Sequence, residues 1–277
     1  MVKKLDKNIK NSKLQLLGAI AGDIIGSAHE YDGFKSKEFD LFTNASRFTD
    51  DTVLTVAAAY ALLNDEDYGT AYRYFGRRYP NADYGESFHD WLWSKEPQPY
   101  NSWGNGAAMR VSPVGFAAGS IGEVLEEAIR SAEVTHNHPE GLRGAQAAAA
   151  AVYLAQKGLS KADMTNEIEV RFGYDLSATL AEVRPDYHYD VSCQGTVPPA
   201  IIAFLESEDY ESAVRNAVSL GGDADTLACI TGSIAHAFYQ NIPEEIIEQV
   251  VLRLPDEFLD VITRFDECFA GEEKKID

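Results

Sequence analysis

Apolar residues recur along this chain at intervals of three and four, and runs of alternating β-branched residues are almost absent, so the pattern predicts helices nearly throughout. The periodic stretches are 13–28, 51–63, 69–79, 84–94, 106–117, 121–134, 139–157, 160–172, 197–206, 209–219, 224–240, 243–253 and 256–270. Within 51–63, Val53, Leu54, Val56, Ala57, Tyr60 and Ala61 fall on one face that must be buried. The run from Gly144 to Ala151 is nearly all alanine, which predicts a central helix packed closely on several sides. Punctuation agrees with these boundaries. Asp50 or Asp51 sits at a cap position, Pro198 and Pro199 stand where a helix begins, and Pro243 precedes two glutamates in a first turn. The least regular stretch is 183–196, an aromatic-rich loop placed to border a pocket. No Pro/Ser-rich linker and no solenoid repeat divides the chain. The expected architecture is all-α: one domain over 1–277, with a core of about 14–270 built as a compact bundle of a dozen or more helices.

Composition narrows the function classes. With 277 residues and 45% hydrophobic content the chain can bury a full core. Lys plus Arg total 24 against 44 Asp plus Glu, and the net charge of −20 argues against general affinity for nucleic acid or anionic lipid. A local pocket for an anion stays compatible with it. Three cysteines with no CxxC spacing make no disulfide framework and fit a reducing, cytoplasmic setting. The apolar stretch 14–28 is interrupted by Gln15, Gly18, Gly22, Asp23 and Gly26, so it reads as neither a signal segment nor a membrane span.

Two short clusters carry the candidate chemistry. Phe48-Thr49-Asp50-Asp51-Thr52 and Gly221-Gly222-Asp223-Ala224-Asp225-Thr226 each place carboxylates and hydroxyls at the head of an apolar helix. The plainest use of Asp50 and Asp223 is capping, worth about 1 kcal/mol each. A second carboxylate beside each cap is not needed for that. Oxygen ligands without Cys or His suit hard cations such as Mg²⁺ or Mn²⁺ and fit zinc poorly. Carboxylates gathered within a few ångströms cannot all stay ionised without counter-charge, and two metals would supply it. No EF-hand loop is present. Glu30 ends a small-residue helix, where the dipole disfavours it unless a cation or solvent compensates. Asp23, among apolar neighbours, reads as a hydrogen-bonding structural residue.

Ser102-Trp103-Gly104-Asn105-Gly106-Ala107-Ala108-Met109-Arg110 is a glycine-rich turn entering a helix. Its open N–H groups can cradle a phosphate, Arg110 can add charge and Trp103 can stack on a base or sugar, although a turn that only packs helices explains it equally. Thr135-His136-Asn137-His138 stands ahead of the alanine-rich helix, where a histidine either meets a ligand or caps.

Taken in order, Gly18 to Gly26 with Glu30, Phe48 to Thr52, Gly104 to Arg110, Thr135-His136 and Gly221 to Thr226 resemble the ADP-ribosylglycohydrolase family, from about residue 14 to 240. The resemblance implies a compact all-α fold with a binuclear Mg²⁺ or Mn²⁺ centre at the base of a cleft. It implies that Thr49, Asp50 and Asp51 ligate metal from one side and Asp223, Asp225 and Thr226 from the other. Glu30 matches the family's acidic residue beside the metals. Trp103, Gly104, Asn105, Gly106, Ala107, Ala108, Met109 and Arg110, with His136, would hold the diphosphate and ribose. The implied reaction removes ADP-ribose from a modified protein or small conjugate at C1 of the distal ribose, with Asp50, and Glu30 or Asp225, in catalytic roles. A metal-dependent nucleotide diphosphate hydrolase and an inactive relative that only binds ADP-ribose are the alternatives. The acceptor group is set by loops, with 31–47 and 183–196 as candidates and Tyr31, Phe34, Tyr187 and Tyr189 as possible cleft residues.

Overall fold

The computed structural model describes residues 14–30 and 33–270, and Tyr31 lies outside them. Its helices are α1 (Leu17–Gly26), α2 (Asp50–Asn64), α3 (Tyr68–Arg78), α4 (Glu86–Trp93), α5 (Gly106–Met109), α6 (Ser112–Ala117), α7 (Ile121–Glu133), α8 (Pro139–Gln156), α9 (Lys161–Phe172), α10 (Leu180–Val183), α11 (Cys193–Leu205), α12 (Tyr210–Val218), α13 (Ala224–Tyr239), α14 (Glu244–Arg253) and α15 (Asp256–Phe269). Among the described residues there is no strand, only an isolated antiparallel bridge between Gly104 and Ser192.

Two buried helices form the axis. Gly18, Gly22 and Gly26 stand four apart and so share one face of α1, which is buried along its whole length. That face rides on α13 in the opposite direction: Gly18 meets Gly232 and His236, Gly22 meets Ala228, and Gly26 meets Ala224. A Cβ on Gly22 would stand 2.0 Å from the Ala228 carbonyl oxygen, so only glycine permits this approach. Because the helices are antiparallel, the end of α1 arrives at the start of α13. The alanine-rich α8 packs against α5, α6, α7, α9, α11 and α13, as its small side chains on every side require.

Two expected boundaries shift, both at proline. The stretch 106–117 divides into α5 and α6, because Pro113 has no N–H for the Met109 carbonyl. Thr55 Oγ1 and Cys229 Sγ donate to that carbonyl instead, at 3.4 and 3.3 Å. Conversely, α11 begins at Cys193, ahead of Pro198 and Pro199, which lie inside it. Pro199 cannot donate to the Gly195 carbonyl, and the Tyr187 hydroxyl does so at 3.0 Å. Ser192 caps this earlier start by accepting from the Gly195 N–H. The short α10 carries no periodic pattern and is held by a capping box between Thr179 and Glu182.

Candidate metal centre and substrate cleft

Asp23 is the latch that builds the site. It is fully buried on α1, and its carboxylate reaches the start of α2, accepting from the Thr49 N–H at 3.0 Å, the Thr52 N–H at 3.1 Å, the Thr49 hydroxyl at 2.7 Å and the Thr52 hydroxyl. The cap of α2 is therefore Thr49, whose hydroxyl also accepts from the Asp51 N–H, and not Asp50 or Asp51. Relieved of capping, both aspartates stand in the first turn. Asp223 likewise occupies the cap position of α13 without making a cap hydrogen bond. Its Oδ2 accepts from Asn105 Nδ2 at 2.7 Å, which ties the glycine-rich turn to the cluster.

The fold brings the two acidic helix starts together. Thr226 Oγ1 on α13 donates to Asp51 Oδ2 on α2 at 3.3 Å, across most of the sequence. Glu30, Asp223 and Asp225 present carboxylate oxygens within 4.8 Å of one another. Glu30 is buried, not on the surface, and its Oε1 accepts from the Tyr189 hydroxyl at 3.3 Å. Among the described residues no salt bridge reaches Asp50, Asp51, Asp223 or Asp225. Burial first, and then the charge of Asp225, push the carboxyls of Asp50 and Asp51 well above the ordinary range. Burial and Asp223 do the same to Asp225, and burial raises Asp223. Asp23 is pushed up to about 7 by burial and Asp225, against its four hydrogen bonds. Asp51 Oδ1 is buried with no hydrogen-bond partner among the described residues. A hard cation fits such a set: oxygen donors only, an orphaned buried oxygen, and mutual repulsion that the charge of Arg47, ion-paired to Asp83, acts on without an ion pair to the aspartates.

Above the carboxylates lies a cleft of about 490 Å³ lined by Glu30, Asp50, Asp51, Asp223, Asp225 and Thr226, with Gly104, Asn105, Gly106, Met109, Arg110 and His136 on one wall. A volume of this order suits a nucleotide-sized ligand. The remaining expected site residues lie elsewhere. Thr49 is buried beneath the cleft with its hydroxyl engaged by Asp23 and the Asp51 N–H. Ala107 and Ala108 are packed in the core, and Trp103 is half exposed, edge-on to His138, outside the cleft lining. Arg110 adjoins the cleft but is fully buried, its Nη2 donating to Ser131 O at 3.2 Å and Thr135 Oγ1 at 2.7 Å, with the guanidinium over the Tyr72 ring at 4.2 Å. The two histidines separate: His138 caps α8 through the Glu140 N–H, while His136 faces the cleft.

Of the aromatic residues proposed for the rim, Tyr189 lines the cleft, whereas Phe34 stacks on His29 and Tyr187 packs beside Gly222. The segment bearing Tyr189 is set by pairing with the glycine-rich turn, since Asn105 N–H donates to Val191 O at 2.7 Å and Cys193 N–H to Trp103 O at 2.8 Å. Asp83 to Phe88 also lines the cleft, carries no motif and is not visible in the sequence. Its Tyr84 hydroxyl is buried without a partner among the described residues. The only hint is Gly85, a break ahead of the apolar Phe88, Trp91 and Leu92.

Comparison with known proteins bears on the family and the fold. The human ADP-ribosylhydrolase ARH3 is 28% identical over 312 aligned positions, covering 83% of this chain and 86% of that protein. The ADP-ribosylarginine hydrolase Tri1 of Pseudomonas putida (strain GB-1) is 25% identical over 307 positions, covering 96% and 82%. A solved structure described as an ADP-ribosylglycohydrolase-related protein complex shares the fold, with a TM-score of 0.69 over 95% of this chain and 99% of that one at 24% identity. No helix among the described residues is long and apolar enough to cross a membrane. The sequence model of ADP-ribosylglycohydrolases matches residues 12–273, nearly the whole chain, and the chain belongs to that family.

Proposed function

We propose that this protein is a metal-dependent hydrolase that releases ADP-ribose from a modified acceptor by cleaving the bond at C1 of the distal ribose. The observation that carries the reading is the convergence of Glu30, Asp51, Asp223 and Asp225 on a nucleotide-sized cleft, with no salt bridge to the three aspartates among the described residues. The names of the relatives, each an ADP-ribosyl hydrolase, support it. Asp50 and Asp51 would hold the metals from α2, and Asp223, Asp225 and Thr226 from α13. Thr49 retains one hydroxyl lone pair beyond its bonds to Asp23 and Asp51 N–H, so it would complete the set from below. When bound, two Mg²⁺ or Mn²⁺ ions supply counter-charge, grip for the ribose hydroxyls and a water acidic enough to attack near neutral pH.

The chain's own residues do the rest. Asn105, Gly104 and Gly106 line the wall on which the diphosphate would lie, with the turn fixed by the Asn105–Asp223 bond. The charge of Asp225 acts on Asp23, Asp50 and Asp51 alike, which supports assigning it to the metals. Glu30 comes from the turn after α1 instead, with one oxygen steadied by Tyr189. We therefore assign proton transfer to Glu30: it takes the proton of the attacking water as oxocarbenium character develops at C1 and the bond to the acceptor breaks, and the proton passes to the departing acceptor atom.

The test is a panel of ADP-ribosylated arginine, serine and nucleic-acid substrates, assayed for free ADP-ribose with Mg²⁺ and with Mn²⁺. Intact ADP-ribose is expected, and Asp50→Ala or Asp225→Ala abolishes its release while the helical circular dichroism is kept. Release of AMP would point to diphosphate cleavage, and near-normal turnover by both variants would remove the metal-centre reading.

A further inference from the structure

Among the described residues Arg110 is the largest fully buried side chain, and none of their carboxylates forms a salt bridge with it. Two of its nitrogens, Nε and Nη1, are buried without a geometric hydrogen bond among the described residues. Burying a guanidinium in this way is costly, and the Tyr72 and Phe88 rings, at 4.2 and 5.8 Å, offset only part of the cost. Its Nη2 is spent on the hydroxyl of Thr135 at 2.7 Å, and Thr135 Oγ1 stands 2.7 Å from His136 Nδ1.

The proton count along this chain of contacts has one good solution. Arginine only donates, so Thr135 Oγ1 must accept from Nη2. The hydroxyl has a single proton; the acceptors with hydrogen-bond geometry are His136 Nδ1 at 2.7 Å and Ala132 O at 3.4 Å, and the Tyr100 hydroxyl, a further neighbour, can itself donate to Thr135. Donation to Nδ1 makes both short contacts proper hydrogen bonds, each polarising the next. The other tautomer would need the hydroxyl to accept twice and send its proton along the long contact. Nε2, on the far side of the ring, lies against Gly104 and Gly106 in the cleft wall. A Cβ on either would come within 3.4 and 3.2 Å of it, so the two glycines leave this edge of the imidazole uncovered.

We propose that Arg110 is a positioning residue that acts through Thr135 to hold His136 as the neutral Nε2–H tautomer, making it a fixed hydrogen-bond donor to an anionic or hydroxyl oxygen of the ligand. This reassigns Arg110 from phosphate contact to control of its neighbour, and it rests on the reading of the cleft as an ADP-ribose site. Burial and the Arg110 charge also keep the imidazole neutral, well below the ordinary histidine range. His136 is then a donor only, with its one lone-pair nitrogen occupied by Thr135, and it cannot serve as the base of the reaction.

The test reads the tautomer directly. In protein carrying ¹⁵N-histidine, long-range ¹H–¹⁵N correlation identifies the protonated ring nitrogen of each of the six histidines, with His136 assigned by difference against His136→Gln. Wild type is expected to show His136 protonated at Nε2. Thr135→Ser preserves this and leaves ADP-ribose affinity, measured by calorimetry with Mg²⁺, within about twofold. Thr135→Val, of nearly the same shape, loses the tautomer preference and weakens ADP-ribose by about tenfold. A wild-type ring protonated at Nδ1 overturns the proposal whether or not the valine variant folds. So does a folded valine variant with unchanged tautomer and affinity. If ADP-ribose fails to bind wild type at all, the reading of the cleft falls, while the tautomer assignment is still decided by the spectrum.

Discussion

Replacing Asp225 by asparagine should make the metal-free protein more stable while destroying its activity. Asparagine keeps Oδ1 as the acceptor for the Thr226 N–H, at 2.9 Å in the wild type, and points an NH₂ group toward the neighbouring carboxylates. What it removes is charge. Oxygens of Glu30, Asp223 and Asp225 lie within 4.8 Å of one another, where two unit charges repel by about 3 kcal/mol at an effective dielectric of about 20. The repulsion is visible at Asp23 as well. A carboxyl held at about 7 instead of 3.8 costs about 4 kcal/mol to ionise in the folded protein at pH 8, and Asp225 is the charge that adds to its burial. Neighbouring carboxyls take up protons rather than bear the full repulsion, so relief of one such pair is expected, about 3 kcal/mol. For a chain of this size that raises Tm by about 6 °C. The assay is thermal unfolding at pH 8 in EDTA and again with Mg²⁺ or Mn²⁺. Cation at a hundred times its dissociation constant adds about 2.7 kcal/mol per site to the wild type, so with both sites filled the wild type overtakes the variant. An Asp225→Asn protein that melts at or below wild type in EDTA, with neither responding to cations, would refute the account of the cluster.

Three further outcomes follow from other parts of the structure. Gly22→Ala drives a Cβ to 2.0 Å from the Ala228 carbonyl oxygen, which is backbone and cannot rotate away, so α1 and α13 must part. Denaturant titration should show a loss of about 3 kcal/mol, and parity with wild type would show that the helices yield. Burial pushes His236 down to about 4, so between pH 6.5 and 4 the unfolded chain binds the extra proton and stability falls as pH falls. His236→Asn can keep the donation to Gln15 O, at 3.1 Å in the wild type, without titrating. It should therefore gain on wild type by about 3 kcal/mol across that window, and parallel stability curves would contradict the assignment. Tyr84→Phe removes a buried cleft hydroxyl without a partner among the described residues, so melting should be unchanged while kcat/KM falls about tenfold. A change in Tm without a change in kinetics would place that hydroxyl in the fold instead.

The all-α architecture and most helix limits were legible because burial of one face imposes a period that survives in the sequence. The failures are local and share a cause. At Pro113 the helix divides and at Pro199 it runs on, and in both places a distant group takes the carbonyl that proline leaves without its N–H. Thr55 and Cys229 do so at Met109, and Tyr187 does so at Gly195. Those partners are far along the chain or across a loop, and no local pattern announces them. Arg110 is the same kind of case: beside a glycine-rich turn it reads as an open phosphate ligand, and only the packing of Tyr72, Ser131 and Thr135 around it shows that it is fully buried.

By itself the sequence determined that the protein is helical, that two carboxylate pairs open helices, and that the set of donors suits a hard cation, since residue type and spacing carry that information directly. Tertiary structure alone decided that Asp23 relieves Asp50 and Asp51 of capping, that the antiparallel packing of α1 on α13 brings Glu30 to Asp223 and Asp225, and that the stretch from Asp83 to Phe88 lines the cleft. The division follows from range: capping propensity and periodicity act over one or two turns, whereas a site of converging charges is made by contacts between residues up to about two hundred positions apart.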